Sequence, residues 1–248
     1  MDPSPDNALV VYNISNPYND TNLLKREPQR HLRIGSNLLV ISQAWRSDGL
    51  GGSSLGFGAS VYDAAVLLAD YVLSSVPLGG RRVVELGTGT GVVAVQAAVQ
   101  EPRAAEVVAT DGDEGLLRGL TKINLESNMQ RILGEVLDTV KTRTFYWGNE
   151  EHLNSLAPPF DVVLVADCSA VIYENSFGAL VDSIFQLCHG ETDVYLSCQE
   201  RVRSVEAKFF HLLKRKFIVV EVPREDLHRD FEKVEELRLF HLRLKPPI

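Results

Sequence analysis

The chain has 248 residues, of which 45% are hydrophobic and 23% are charged, as in a globular protein with a sizeable core, and this excludes wholesale disorder. Its 25 Lys and Arg against 33 Asp and Glu give a net charge of −8, so the chain lacks the basic excess with which nucleic-acid-binding proteins neutralise phosphates. No apolar run reaches the roughly 18 residues of a membrane span, and the N-terminus does not resemble a secretory signal.

Cysteine and histidine usage predicts no metal site. The three cysteines, Cys168, Cys188 and Cys198, have no zinc-binding spacing, and the six histidines are scattered. We therefore expect reduced thiols in a cytosolic or nuclear protein.

The first 57 residues are predicted to be an N-terminal arm and extension ahead of a domain at residues 58–248. Residues 1–30, rich in Asn, Pro and Asp, predict a loosely ordered arm, and the glycines and serines of residues 49–58 predict a flexible loop. Between them, an alternating apolar pattern predicts an edge strand or hairpin over residues 31–41, with these side chains on one face: Leu32, Ile34, Leu38 and Val40.

The rest of the chain alternates between helical periodicity and short apolar runs. Helices are predicted at residues 60–74, 91–99, 114–128, 176–188 and 202–214. Strands are predicted at residues 82–86, 106–110, 140–147, 161–165, 194–197, 217–222 and 237–244, the last two separated by a charged stretch without a helix. This order predicts an α/β fold, namely a doubly wound, mostly parallel seven-stranded sheet (Rossmann-like) with a C-terminal antiparallel strand pair.

The segment VVELGTGTG follows a predicted strand and opens a helix. Gly87 and Gly89 let the backbone turn sharply and approach a ligand, and Gly91 lets the helix lie close to the strand. The GxGxG spacing is tighter than the GxGxxG of dinucleotide-binding folds. Glu85, just before the turn, would be a poor neighbour for a pyrophosphate and a good partner for a cationic ligand, which argues against a dehydrogenase.

A second acidic position completes this pattern. Asp111 follows the next strand, 24 residues after Gly87, close to the roughly 20-residue offset at which a carboxylate meets ribose hydroxyls. A helix cap is the structural alternative for Asp111. Together the glycine turn and the two acids predict an adenosine-bearing cofactor without phosphates.

Five segments follow one another in a characteristic order: VYDAA, ELGTGTG, ATDGDEGLLRGLTKINLESN, FYWGN and FDVVLVADC. Together they resemble the seven-β-strand (class I) S-adenosylmethionine-dependent methyltransferases, and among them the family of the methyltransferase-like 21 enzymes and the valosin-containing-protein lysine methyltransferase. The resemblance runs from about residue 58 to the end of the chain. It implies a monomeric, cytoplasmic enzyme that uses S-adenosylmethionine to methylate a lysine side chain of a protein substrate.

The resemblance also implies a set of cofactor-binding residues. Asp111 would accept both ribose hydroxyls, Trp147 would contact the adenine face, and Ala166 would contact the cofactor through its backbone. Tyr62 stands where the family usually has tryptophan. The full set is Tyr62, Glu85, Gly87, Thr88, Gly89, Gly91, Asp111, Trp147 and Ala166.

Two catalytic residues are implied as well. Transfer to nitrogen needs a neutral amine held about 3 Å from the methyl carbon and in line with the breaking bond. Asp167 would orient this amine, and the ring of Tyr173 would shelter the developing cation. The family's acidic residue is followed by an aromatic residue three positions later, whereas here the separation is six.

Other interpretations stay open. A small-molecule N-methyltransferase would use residues 49–58 and the N-terminal arm as a lid. A catalytically weak, cofactor-binding interaction module is favoured by the longer Asp167 to Tyr173 segment. Structural alternatives are a turn cap for Asp167 and ordinary packing for Trp147 and Tyr173.

Overall fold

The computed structural model describes residues 24–45 and 56–246 of the chain. The predicted arm up to residue 23 and most of the predicted loop at residues 49–58 lie outside these residues. The strands of the described part are β1 (Gln29–Ile34), β2 (Asn37–Ser42), β3 (Arg82–Leu86), β4 (Glu106–Asp111), β5 (Val140–Thr144), β6 (Phe160–Ala166), β7 (Cys188–Gln199), β8 (Phe217–Glu221) and β9 (Leu237–Leu244). Its α-helices are α1 (Asp63–Ser75), α2 (Val92–Val99), α3 (Glu114–Leu116), α4 (Lys122–Leu133), α5 (Glu150–Ser155), α6 (Phe177–Leu187), α7 (Arg203–Lys216) and α8 (Arg229–Glu232).

Seven of these strands form one sheet in the order β5-β4-β3-β6-β7-β9-β8. The first five are parallel, and β9 pairs antiparallel with both β7 and β8. The predicted doubly wound, mostly parallel sheet with an antiparallel C-terminal pair is therefore confirmed. The strand order reverses between β3 and β6, and this reversal creates the crevice in which open α/β sheets bind ligands.

Helices cover both faces of the sheet, which explains why its central strands are continuously apolar. Val83 packs into the core beneath α1, α2 and α4, whereas its neighbour Val84 packs into the opposite core beneath α6 and α7. Both side chains are fully buried.

The predicted hairpin forms, as a separate two-stranded sheet with Gly35 at φ +57° in its turn. The predicted face of its second strand is wrong, because Leu39 and Ile41 are buried while Leu38 is 44% exposed. The register places Leu39 opposite Leu32, and directly opposed residues of an antiparallel pair point to the same face. The prediction continues the alternation of β1 across the turn into β2, and it therefore assigns the wrong residues of β2 to the buried face.

Two buried asparagines attach the hairpin to α4. Asn128 accepts from the Val40 N–H at 2.8 Å and donates to the Val40 carbonyl at 2.9 Å. Asn124 makes the same pair of bonds with Ser42, at 2.8 and 3.0 Å. These side chains satisfy the backbone edge of β2 as a neighbouring strand would, so residues 37–42 pack against the main domain.

Several predicted boundaries shift by more than the usual one or two residues. β5 ends at Thr144, so the FYWGN segment lies in the turn after the strand. β7 begins at Cys188, which pairs with Phe160 of β6, whereas its pairing with β9 begins at Val194. The helix predicted over residues 114–128 is divided by a π-helical segment, Leu117–Thr121, and continues to Leu133.

Two short helices are absent from the prediction. α5 begins at the cap Asn149, whose side chain accepts from the His152 N–H at 2.9 Å. α8 lies within the charged stretch expected to have no helix, and it begins at the cap His228. Helices this short carry too little periodicity to stand out in a sequence. In the described residues, no helix has both the length and the apolar character needed to cross a membrane.

Candidate active site

The predicted site residues converge at the carboxyl ends of β3, β4 and β6, beside the strand-order reversal. Glu85, near the end of β3, is only 2% exposed. Its Oε2 accepts from the Thr88 hydroxyl at 2.6 Å and from the Ala94 N–H at 2.9 Å. Burial raises the pKa of Glu85 to about 8, against the opposing effect of these two hydrogen bonds. The carboxyl group thus points into the turn and ties it to α2, so the structure gives Glu85 the role of holding the turn in place of the predicted role as a partner for a cationic ligand.

Thr88 is also engaged within the turn. Its N–H donates to the Thr110 carbonyl at 2.8 Å, and its own carbonyl accepts from the Gly91 N–H at 2.8 Å. Because its hydroxyl donates to Glu85, the polar groups of Thr88 hold the loop in shape.

Two glycines are required where the turn is most crowded. Gly87 has φ +64°, and a Cβ there would lie 2.7 Å from Cys168 Sγ. Gly89 has φ +53°, and a Cβ there would lie 2.9 Å from the Gly58 carbonyl oxygen. Both positions combine a left-handed backbone with a close approach, which leaves a cradle of bare main chain.

Asp111 ends β4 and is hydrogen-bonded to that cradle. Its Oδ2 accepts from the Gly89 N–H at 3.0 Å, and its Oδ1 accepts from the Asp113 N–H at 3.1 Å. Burial raises its pKa above the usual range, against these backbone hydrogen bonds. The cap of α3 is Asp113, which accepts from the Leu116 N–H at 2.9 Å, so the alternative interpretation of Asp111 as a helix cap is wrong.

Two aromatic side chains stand beside the cradle. The rings of Trp147 and Tyr173 pack edge to face, with 5.5 Å between their centroids. Trp147 Cζ2 lies 3.5 Å from the position that a Cβ on Gly87 would occupy. The pKa of Tyr173 is raised above its usual range, mainly by burial and to a smaller extent by the nearby Cys168 and Asp111. A 3-10 turn, Val171–Ser176, brings Tyr173 back to the site despite its six-residue distance from Asp167.

Asp167 follows β6 and has φ +57°, a backbone conformation that non-glycine residues rarely adopt. Its Oδ1 and Oδ2 accept from the two terminal nitrogens of Arg201, at 2.9 and 2.7 Å. Oδ1 also accepts from the Gln199 N–H at 3.2 Å. Its carboxylate is therefore held by an ion pair and does not cap a turn.

Sequence reasoning missed Arg201. The available signal was its position just after a predicted strand, because the carboxyl ends of neighbouring parallel strands share one edge of the sheet. Arg201 also donates to the Gln199 side chain at 3.0 Å, and this contact fixes it beside Asp167.

The remaining residues complete the edge of the site. Ala166 ends β6 opposite Ser197. Tyr62 precedes α1. Its pKa is raised, mainly by burial and to a smaller extent by the charge of Asp167. The Nζ of Lys25, a residue not singled out from the sequence, lies 4.5 Å from the centroid of the Tyr62 ring.

This arrangement fits S-adenosylmethionine. The bare main chain at Gly87 and Gly89 admits a ligand at a place where a Cβ would collide, and Asp111 presents a carboxylate beside it. A carboxylate at the end of the second strand suits ribose hydroxyls, so the edge favours a nucleoside-bearing ligand. Among the residues that the structure describes, no group of three or more His, Cys, Asp or Glu could hold a metal ion.

Comparison with known proteins decides the family. Residues 50–216 match the family model described as lysine methyltransferase. The protein N-lysine methyltransferase METTL21A of Mus musculus is 32% identical, over 82% of this chain and 86% of that protein. The chain belongs to the lysine methyltransferase family. EEF1A lysine methyltransferase 3 of Mus musculus, another relative of this lysine methyltransferase, is 31% identical over 71% of the chain and 70% of that protein.

Solved structures agree on the fold of this lysine methyltransferase. SMU.776, solved in complex with SAH, superposes with a TM-score of 0.59 at 11% identity, over 88% of this chain and 56% of that one. TrmN from Thermus thermophilus superposes with a TM-score of 0.51 at 19% identity, over 73% of this chain and 49% of that one. The chain thus spans about half the length of these two structures, and at such identities the likeness concerns the fold alone.

Family membership confirms the predicted activity and cofactor. The protein is an S-adenosylmethionine-dependent protein-lysine N-methyltransferase.

Proposed function

We propose that this enzyme binds S-adenosylmethionine across the carboxyl ends of β3, β4 and β6 and methylates a lysine that a partner protein inserts beside Asp167. The observation that carries the proposal is the hydrogen bond between the Asp111 carboxylate and the Gly89 N–H. It joins the acidic end of β4 to the bare glycine turn, so that one rigid unit can hold a nucleoside.

The cofactor supplies a methyl group carried on a positively charged sulfur. On the protein side, Asp111 accepts the ribose hydroxyls, the backbone of Gly87 and Gly89 borders the methionine end, and Trp147 contacts the adenine. The turn itself is held in shape by Glu85, Thr88 and Gly91, which act on the cofactor only through the turn. Ala166 contributes its backbone at the end of β6.

The acceptor side is formed by Asp167, Tyr173, Tyr62 and Arg201. Arg201 holds the Asp167 carboxylate in one orientation, and this carboxylate orients the incoming amine. A nearby guanidinium disfavours an ammonium and so favours the neutral amine that the transfer needs. The rings of Tyr62 and Tyr173 form walls that suit the methylated ammonium product.

Transfer of labelled methyl groups tests the activity and the role of Asp111. The full-length protein is incubated with methyl-labelled S-adenosylmethionine and a cell lysate, and label is expected in protein bands. Asp111→Asn should abolish labelling and weaken cofactor binding in calorimetry, because a neutral amide loses the charge-assisted hydrogen bonds to the ribose. The matched control is Asp113→Asn, an exposed position that keeps the capping oxygen and should leave labelling intact. Label found only in metabolites or nucleic acid would contradict a protein acceptor.

We also propose that residues 58–248 form the methyltransferase domain, with residues 1–57 as its extension, and that the enzyme works in the cytoplasm as a monomer. The three free cysteines support a reducing compartment. Burial raises the pKa of Cys188 and of Cys198 to about 12, which keeps these thiols protonated and unreactive. Cell fractionation tests the compartment, and sedimentation equilibrium tests the monomer.

A further inference from the structure

The backbone of Lys25 is anchored to the domain. The Gln43 side-chain amide donates to the carbonyls of Leu24 and Glu27, at 2.8 Å each. The Ser60 hydroxyl donates to the carbonyl of Lys25 itself at 3.0 Å. Because Ser60 lies two residues before Tyr62, this anchoring fixes Lys25 relative to the acceptor side of the site.

The side chain of Lys25 extends to that acceptor side. Its Nζ lies over the Tyr62 ring. Its environment includes the carboxylates Asp63 and Asp167 and the guanidinium groups of Arg201 and Arg30. The amine therefore lies against an aromatic ring and is under the influence of charges of both signs.

Burial lowers the pKa of Lys25 below the usual lysine range, and Arg201 and Arg30 act in the same direction against the two carboxylates. An ordinary exposed lysine is almost wholly protonated near neutral pH and has no free lone pair. A partly buried amine beside a guanidinium has a larger neutral fraction, which methyl transfer requires.

We propose that Lys25 is a self-methylation site, at which the enzyme transfers a methyl group to its own chain in cis. This inference rests on the proposed acceptor side of Asp167 and Tyr62. In the reaction the Lys25 ammonium first loses a proton to water. The Nζ lone pair then forms a bond to the methyl carbon of S-adenosylmethionine as the carbon–sulfur bond breaks. The electron pair of that bond stays on sulfur, which becomes neutral, and the N-methylammonium carries the positive charge against the Tyr62 ring.

The neighbouring residue provides an internal control. The guanidinium of Arg26 lies 4.6 Å from the ring of Trp45, whereas Lys25 lies over Tyr62. A lysine at position 26 would therefore face a different surface. Exchanging the two side chains keeps composition and charge while removing the amine from the site.

Mass spectrometry of the full-length protein tests the proposal. After incubation with S-adenosylmethionine, the peptide containing residues 24–27 should gain one methyl group, and fragmentation should place it on Lys25. The rate per molecule should not change on dilution, because the transfer is in cis. The double variant Lys25→Arg with Arg26→Lys should lose the increment completely, while its melting temperature stays that of the wild type.

A parallel arm with lysate separates this inference from the proposed function. An unmodified Lys25 in a preparation that labels lysate proteins would overturn self-methylation alone. An unmodified Lys25 without any labelled protein would overturn both. A methyl group at position 26 of the exchanged variant would show that a lysine in this segment is methylated without being held over the Tyr62 ring. This result would overturn the assignment of the site to position 25.

A second readout needs no cofactor. The pH dependence with which a small acylating reagent modifies Lys25 is measured in the protein alone. A midpoint below the usual lysine value of about 10.4 is expected from burial, and Tyr62→Ala should move it toward that value by exposing the amine. A midpoint equal to that of a free lysine would show that Lys25 is solvated and would overturn the proposal.

Discussion

The glycine turn after β3 and the segment after β6 both follow parallel strands at the strand-order reversal, yet they are held in different ways. The turn is held by neighbours in the sequence, since Glu85 bonds to Thr88 and Ala94. Asp167 is instead held by Arg201, 34 positions away. The glycine turn of the proposed cofactor side is thus encoded in one short motif, whereas the proposed acceptor side depends on how distant strands come together. Four variants test this difference, and a fifth, Glu106→Gln, serves as the reference for Glu85→Gln.

Gly89→Ala should have the largest effect. The new Cβ would meet the Gly58 carbonyl oxygen at 2.9 Å, on a backbone that is strained for alanine. We expect the turn to shift away from this contact and S-adenosylmethionine binding to weaken by about fivefold to 150-fold, the equivalent of the roughly 1–3 kcal/mol that overpacking costs, as measured by calorimetry. Gly80→Ala is the control, because Gly80 has a similar φ of +72° but no atom within 4 Å of a new Cβ. Equal binding losses in both variants would contradict an effect of the close approach.

Glu85→Gln should change how the free energy of unfolding depends on pH. The pKa of Glu85 is raised to about 8 in the folded state, so the folded state binds more protons than the unfolded state between about pH 4.5 and 8. The stability that this group contributes is present at low pH and is lost as pH rises through 8, by at most about 1.4 kcal/mol per pH unit. In denaturant titrations, the free energy of unfolding of the variant relative to that of the wild type should therefore increase as pH rises over this range.

Glu106→Gln provides the opposite sign. Although burial acts to raise the pKa of Glu106, hydrogen bonds from Lys141 and Arg82 hold it below its usual range. This carboxylate contributes stability above its unfolded pKa, and the contribution is lost as pH falls. The free energy of unfolding of the Gln variant relative to that of the wild type should therefore decrease as pH rises from the acid range. The same trend in both variants would argue against the burial of Glu85.

Arg201→Met should separate the two sides of the site. It removes both hydrogen bonds to Asp167, so we expect kcat to fall about tenfold to a hundredfold through misplacement of the acceptor. Cofactor affinity should stay within about twofold, since Arg201 belongs to the proposed acceptor side. The pH profile of kcat should move to higher pH, because the amine loses a neighbouring positive charge. In the control Arg203→Met, a side chain 87% exposed is removed, and the rate should not change.

Tyr173→Phe should have the smallest effect. The ring that packs against Trp147 remains, and contact with a cation uses the ring face. We expect kcat to change by less than about threefold, and Tyr173→Leu, which lacks the ring, to lower it by about threefold to tenfold. A large loss in the Phe variant would assign the hydroxyl a direct role.

The fold was predictable because its signals are local. The type and order of the strands and long helices follow from runs such as VVEL and from the change of period after them, and the terminal strand β9 agrees with its predicted range. The face of β2 was not predictable, since it depends on the cross-strand register with β1. The short helix α5 was missed because its six residues carry too little periodicity.

By itself, the amino-acid sequence determined the sheet, the glycine turn and the two acids at the ends of β3 and β4, because glycine backbone freedom and apolar periodicity act over a few residues. Only the tertiary structure decided that Asp167 pairs with Arg201, that Tyr173 returns to Trp147, and that Lys25 lies over Tyr62. These contacts join segments that are far apart in the chain. These contacts depend on the order of the strands in the sheet and on the packing of the segments between them, which no local pattern records.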